Sequence, residues 1–278
     1  MKKKRSDFVG IIGSSYRMPV RHYRQNLIAE KLKKAGYSII IEDFHWKIED
    51  PVSIIKKVLE LRVCGLIVSD PDFPSVVNYL KTLKKRGIVI ILVDGPVIDG
   101  FDQVRVSREK ITYLGIKHLF DCGYKNIYFT LPQISGKIYW AVKERLRKEK
   151  KLEEYLIWCD GNCRNSYEVG YKIGNNLEER RNVGIMGLND QVAIGLMKRL
   201  LEKGVKIPEE AGIVGSENLP ESEFSYVSLT TIDFQIEKLV SKTVDIFLRR
   251  IGGEKGKEIL IEIEPELIVR ESTKREKT

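Results

Sequence analysis

The chain has 278 residues, of which 42% are hydrophobic and 31% are charged. This composition is typical of a folded protein with a substantial core, and it excludes a disordered or collagen-like chain. Lysine and arginine outnumber aspartate and glutamate by 48 to 39, a formal net charge of +9, which leaves a nucleic-acid partner open as a hypothesis. No apolar run approaches the ~20 residues of a membrane span, so we expect no membrane partner.

The N-terminus combines a basic start, residues 1–5, with a short apolar run, Phe8–Gly13. That run is too short for the apolar region of a signal peptide, and no small-residue cleavage site follows it. Cysteine usage fits a reducing compartment. The one close pair, Cys159 and Cys163, lacks the second pair or the histidines that complete a zinc site. We therefore expect a cytoplasmic protein without a metal or another cofactor.

Short runs rich in β-branched residues alternate with longer amphipathic stretches along the chain. The predicted strands are Phe8–Gly13, Ser38–Glu42, Gly65–Ser69, Val89–Val93, Asn126–Leu131, Tyr155–Trp158, Val183–Gly187 and Gly212–Gly215. The predicted helices are Pro19–Ala35, Pro51–Leu61, Pro74–Arg86, Glu109–Asp121, Lys137–Lys150, Tyr167–Glu179, Gln191–Lys203 and Gln235–Arg250. This alternation predicts an α/β protein with parallel sheets and helices on both faces. The number of units exceeds one open sheet of ordinary size, which predicts two lobes.

The sequence contains none of the common nucleotide or hydrolase fingerprints. The glycines of the first strand do not continue as G-x-G-x-x-G, and neither a P-loop nor a G-x-S-x-G motif occurs. Only three histidines are present, at His22, His45 and His118, and none has a metal-ligand partner at helical spacing. We therefore expect a binding protein and not an enzyme.

A series of short motifs runs from the first strand to the C-terminus. The motifs are Val9–Ile12, Gly36–Tyr37, Val63–Val68, Ile90–Asp94, His118–Tyr124, Leu188–Gly195, Val205–Pro208, Ile213–Gly215, Leu229–Ile232 and Glu264–Thr273. In this order and spacing they resemble the effector-binding core of the LacI/GalR-type transcriptional regulators. Each motif is weak by itself, but together they cover nearly the whole chain.

The resemblance implies two interleaved Rossmann-like lobes with parallel sheets, a periplasmic-binding-protein-like fold of type I. One lobe would comprise residues 8–124 plus 234–252, and the other residues 125–233 plus 253–278, with residues 1–7 a remnant of the hinge linker. The resemblance also implies a homodimer. A small-molecule effector would bind between the lobes at the carboxyl ends of the strands, and hinge closure would be relayed to a DNA-binding domain.

The largest departure from the family lies at the N-terminus. The family carries a helix-turn-helix and a hinge helix before the first strand, whereas this sequence reaches that strand at Phe8. We therefore expect contact with DNA only through an N-terminal domain that the sequence does not contain. Whether that domain was removed or is naturally missing stays open, and so does a winged-helix reader. The alternative is a solute-binding protein of a sugar transporter, against which the missing signal peptide argues.

The resemblance places the effector against polar and aromatic side chains at strand ends. Asn189 matches the family's N-D motif, and its amide can both donate to and accept from a hydroxyl, while Asp190 is predicted to cap the following helix. Glu217 stands where the family has an aspartate that faces the ligand. Phe234 stands where the family has a residue of the cleft wall, and Tyr16 is a candidate for stacking on a sugar ring.

Five basic residues are expected around the cleft that the resemblance implies. They are Arg17, Arg21, Arg108, Lys110 and Lys137. Charge-assisted contacts from such side chains favour an anionic effector, such as a sugar acid or a sugar phosphate, over a neutral hexose. The alternative is that several of them are solvated surface residues. The expected effector is thus a sugar or a sugar-derived compound.

Overall fold

The computed structural model describes residues 6–13, 18–43, 50–71, 73–131, 153–158, 166–177 and 182–275. The chain divides into two compact units. Unit 1 comprises Met1–Val106 and Gln235–Ile263, and unit 2 comprises Ser107–Phe234 and Glu264–Thr278. The chain therefore passes from one unit to the other after Val106, after Phe234 and after Ile263.

Strands and helices alternate through most of the described residues. The strands are β1 (Phe8–Gly13), β2 (Ser38–Asp43), β3 (Gly65–Ser69), β4 (Val89–Val93), β5 (Asp102–Val106), β6 (Asn126–Leu131), β7 (Glu153–Trp158), β8 (Val183–Met186), β9 (Ala211–Val214), β10 (Thr231–Asp233), β11 (Leu260–Ile263) and β12 (Glu266–Ile268). The helices are α1 (Pro19–Lys34), α2 (Pro51–Glu60), α3 (Pro74–Lys85), α4 (Arg108–Asp121), α5 (Ser166–Asn176), α6 (Asp190–Glu202), α7 (Pro220–Phe224) and α8 (Ile236–Ile251). A 3₁₀ turn follows at Glu271–Thr273.

Unit 1 is built on a parallel sheet of six strands in the order β11-β5-β4-β3-β1-β2. Every residue of β3 is buried, as expected for a central strand that is covered on both faces. Ile55 of α2 and Leu80 of α3 pack with Leu66 and Leu92 of the sheet in one core. Helix α8 packs on β4 and on α1. The carboxyl ends of the parallel strands therefore share one edge of the sheet.

Unit 2 contains a parallel sheet in the order β7-β6-β8-β9 and an antiparallel pair, β10 with β12. Two glycines allow α5 and α6 to pack closely. A Cβ atom on Gly170 would lie 1.9 Å from the carbonyl oxygen of Val192, and one on Gly195 would lie 2.0 Å from that of Tyr167. Neither position has space for a side chain, so these glycines fix how α6 lies against its neighbour.

The predicted strands are all present, with small shifts at their ends. Four short strands, β5, β10, β11 and β12, were not predicted, because three or four residues carry little periodicity and β5 includes Asp102, Gln103 and Arg105. The predicted helix Lys137–Lys150 lies outside the described residues. Among the described residues, no helix is long and apolar enough to cross a membrane.

The first passage between the units falls before α4, whereas the resemblance places it near residue 124. Helix α4 belongs to unit 2 because it packs on β8. A Cβ atom on Gly115 would lie 2.5 Å from the sulfur of Met186, and the side chain of Leu119 lies against Gly184. The last passage falls after Ile263 and not near residue 252, because β11 pairs in parallel with β5 of unit 1.

Candidate ligand-binding residues at the carboxyl ends of the strands

In unit 1, two buried aspartates follow the carboxyl ends of neighbouring strands. Asp70 comes directly after β3 and Asp94 directly after β4. Both adopt left-handed backbone conformations, with φ of 49° and 58°, which aspartate tolerates better than most residues do. Open parallel sheets bind ligands beyond this edge. The two carboxylates are therefore candidates for a role in ligand binding.

Arg24 of α1 lies between these two carboxylates and is only 2% exposed. Its Nη2 atom lies 2.9 Å from Oδ2 of Asp70, and its Nη1 atom pairs with Oδ2 of Asp94. Arg21, one helical turn earlier, places its Nε atom 3.3 Å from the same oxygen of Asp70. The positive charges of two arginines thus neutralise the negative charges of two aspartates. Buried charges require such partners of opposite sign.

All four polar atoms of Asp94 are engaged. Its N–H donates to the carbonyl of Val104 at 2.9 Å, and its own carbonyl accepts from Nε2 of Gln103 at 2.8 Å. Its Oδ1 atom accepts from the N–H of Val106 at 3.0 Å, and its Oδ2 atom accepts from Arg24. Asp94 therefore connects α1 to the end of β5.

Ser69, the last residue of β3, is a candidate that the sequence analysis missed. It is 2% exposed, and its Oγ atom has no hydrogen-bond partner among the described residues. It lies beside Gly13, where a Cβ atom would be 3.0 Å from Ser69 Cβ and 2.7 Å from Nε2 of Gln25. A buried hydroxyl without a partner is rare in folded proteins, and a ligand would satisfy it. A polar residue at the end of an apolar strand was the available signal.

In unit 2, Asn189 and Asp190 lie at the start of α6, in the loop that follows β8. The Oδ1 atom of Asn189 accepts a hydrogen bond from the N–H of Val192 at 2.9 Å, so Asn189 is the N-cap residue. The cap predicted for Asp190 is therefore wrong. Asp190 is the first helical residue, and it accepts from the N–H of Leu219 at 2.7 Å and from Oγ1 of Thr231 at 2.5 Å. Because the cap uses the Oδ1 atom of Asn189, its amide nitrogen is a candidate donor to a ligand oxygen.

Asp190 is fully buried, and this burial raises the pKa of its carboxyl to about 7. The hydrogen bonds from Thr231 and Leu219 and the positive charge of Arg270 lower that pKa, but they do not outweigh the loss of hydration. The negative charge of Glu221 raises it further. The carboxyl of Asp190 is therefore expected to titrate near neutral pH.

Glu217 and Phe234 occupy the other predicted positions of unit 2. Glu217 lies beyond the end of β9, is buried, and has a φ of 111°. Its N–H donates to the carbonyl of Ile232 at 2.9 Å. Because β8 and β9 pair in parallel, Glu217 and Asn189 follow neighbouring strand ends. Phe234 is half-buried and is the last residue before the second passage between the units.

The predicted cluster of cations is partly engaged by acidic side chains. Arg21 pairs with Asp70, and Lys110 pairs with Glu264. Arg108 is exposed at the first position of α4. Tyr16, Arg17 and Lys137 lie outside the described residues. Within the described part of the chain, no three histidine, cysteine or acidic side chains are grouped so that they could hold a metal ion.

The comparisons with known proteins agree on one family. The family described as periplasmic binding protein-like domain matches residues 116–273. The HTH-type transcriptional repressor PurR of Vibrio parahaemolyticus is 25% identical over 250 residues, which cover 87% of this chain and 74% of that protein.

Two solved structures share the fold. The LacI family transcriptional regulator from Enterococcus faecalis V583, crystallised with bound ribose, superposes with a TM-score of 0.82 at 22% identity, over 95% of this chain and 98% of that one. The lac repressor dimer, bound to operator and the anti-inducer ONPF, superposes with a TM-score of 0.81 at 20% identity, over 97% of this chain and 82% of that one.

An α/β fold with parallel sheets and polar groups at the strand ends is typical of domains that bind small ligands. The chain belongs to the family of periplasmic binding protein-like domains, and it resembles the effector-binding core of the LacI-type transcriptional regulators. Its curated relatives are transcriptional repressors, which agrees with the expectation of a binding protein. The fold class and the family resemblance predicted from sequence are confirmed.

Proposed function

We propose that the chain senses a sugar or a sugar-derived effector and passes the ligand-dependent change to a DNA-binding domain. The observation that carries the proposal is the set of buried polar side chains at the carboxyl ends of the strands. Ser69 offers a hydroxyl in unit 1, and Asn189 offers an amide in unit 2. Both groups suit the hydroxyls of a sugar. The relative crystallised with ribose supports this class of ligand.

The ion pairs of the predicted basic residues bear on whether the effector is neutral or anionic. Arg21 and Lys110 are paired with Asp70 and Glu264, which lowers the positive charge that they offer to an anion. We therefore propose a neutral sugar as the first candidate. A sugar acid or a sugar phosphate, which charge-assisted hydrogen bonds from arginine would hold, is the second candidate.

A thermal-shift titration tests the proposal with D-ribose, D-glucose, D-gluconate and glucose 6-phosphate as probes. At least one of them is expected to raise the melting temperature of the wild-type protein, since a ligand at about 100 times its Kd adds about 2.7 kcal/mol of stability. Ser69→Ala should shrink this rise without lowering the stability of the ligand-free protein, because the hydroxyl that it removes has no partner among the described residues. Ser53→Ala on α2 is the matched control. If none of the four probes stabilises the wild-type protein, the proposed function is wrong.

We also propose that the chain forms a homodimer and acts in the cytoplasm, where a transcriptional regulator meets DNA. Two aromatic side chains of unit 2, Phe224 and Tyr226, are 82% and 92% exposed. Exposed apolar groups of this size are typical of surfaces that a partner covers. The transport alternative is not favoured, because the relatives are repressors.

A further inference from the structure

Arg24 lies on the buried face of α1, in a row of residues that is otherwise apolar. The residues at four-residue spacing on that face are Val20, Arg24, Ile28 and Leu32, and all four are buried. A residue of this helical row packs against the sheet, so an apolar side chain is expected there. A buried guanidinium is stable only when partners take up its charge and its hydrogen bonds. Its presence in this row therefore requires a reason beyond core packing.

The geometry of the guanidinium supplies that reason. Its two terminal nitrogens contact different carboxylates, Nη2 that of Asp70 and Nη1 that of Asp94. A planar, forked group can bridge two strand ends in this way, whereas the ammonium of lysine is a single point charge. Arg24 therefore links the residues that follow β3 and β4 through its two ion pairs.

The contact continues from Asp94 to the end of β5. The second carboxylate oxygen of Asp94, Oδ1, accepts the N–H of Val106 at 3.0 Å. Val106 is the last residue of unit 1 before the chain first passes to unit 2. One guanidinium and one carboxylate thus connect Asp70, at the edge where Ser69 lies, to the point where the chain leaves the unit.

We propose that Arg24 is a positioning residue for the carboxyl edge of the unit-1 sheet. By holding Asp94 it keeps that carboxylate on the N–H of Val106 and so fixes the end of β5. A ligand that displaces Arg24 from the two carboxylates is thereby sensed at the first passage between the units. This inference rests on the proposed function, because the edge concerned is the one at which we propose that the effector binds.

Amide hydrogen exchange of the folded chain tests the proposal directly. In Arg24→Lys, the positive charge stays but the two-pronged contact is lost, and the exchange rate of the Val106 amide is expected to rise about tenfold. The amide of Gln103 lies in the same strand as Val106 and donates to the carbonyl of Ile259; its exchange rate should change by less than about twofold. Arg21→Met, which removes a partner of Asp70 but not of Asp94, should leave both amides near their wild-type rates.

Arg24→Met is the second variant, and Arg24→Lys carries the test if Arg24→Met does not fold. An unchanged rate at Val106, or an equal rise at Val106 and Gln103, overturns the positioning role. The outcome is separate from that of the proposed function. If the protein binds no sugar but the exchange rate of Val106 rises selectively, only the sugar proposal is wrong. If it binds sugar and that rate does not rise, only this inference is wrong.

Discussion

Replacing Arg24 by methionine is expected to lower the free energy of unfolding by about 3–5 kcal/mol. The variant keeps an unbranched apolar stem like that of arginine but leaves the carboxylates of Asp70 and Asp94 buried without the guanidinium that contacts both. Breaking a buried ion pair from one side is costly because the remaining charge cannot return to water. Equilibrium unfolding in urea, followed by circular dichroism, measures the loss.

Two further variants control this measurement. Arg21→Met removes a partly exposed partner of Asp70, so it should cost no more than about 1 kcal/mol. The triple variant Arg24→Met with Asp70→Asn and Asp94→Asn removes all three charges and should recover much of the lost stability. If Arg24→Met and Arg21→Met lower the free energy of unfolding equally, the buried contact of Arg24 with both aspartates does not stabilise the protein more than the contact of Arg21 does.

The stability of the chain is expected to depend on the protonation of Asp190. Its pKa is about 7 in the folded chain against 3.8 for an ordinary aspartate. Between these values the folded state keeps a proton that the unfolded state releases, so stability falls as the pH rises through this window. From about pH 4 to pH 8 the loss due to this group is roughly 4 kcal/mol. Asp190→Asn, which does not titrate, should lack this part of the pH dependence.

Comparing the wild type with Asp190→Asn isolates the pH dependence that is due to Asp190, because the two proteins share all other titrating groups. Chemical unfolding at a series of pH values gives the free energy of unfolding of each protein. The wild type is expected to lose stability relative to Asp190→Asn as the pH rises. Asp245→Asn, at an exposed position of α8, should follow the wild-type curve. Parallel curves for the wild type and Asp190→Asn would mean that Asp190 is ionised throughout.

Strong local signals made the elements of the fold predictable. Pro19, Pro51 and Pro74 begin α1, α2 and α3, and the apolar runs of β3 and β4 lie in the buried sheet. The ordered motifs predicted the family. Strands of three or four residues, such as β10 and β12, were not predictable, because their pairing depends on a partner distant in sequence.

The site was less predictable than the fold, because its contacts join residues far apart in sequence. Nothing local to Arg24 indicates that Asp70 and Asp94 take up its charge. Lys110 was placed in a cationic cluster by its position, but it pairs with Glu264, more than 150 residues later. Asn189 was predicted to bind the ligand, which stays a prediction, whereas its hydrogen bond from the N–H of Val192 shows that it caps α6.

A titration of the wild-type chain with the stabilising sugar, followed in amide proton–nitrogen spectra, tests the central claim most directly. That claim is that this core binds a small effector at the carboxyl ends of its strands. The account predicts the largest shifts at the amides of Ser69 and Asp94 in unit 1 and of Asn189 and Glu217 in unit 2. A sugar that binds and shifts other amides while leaving these four unchanged would contradict it.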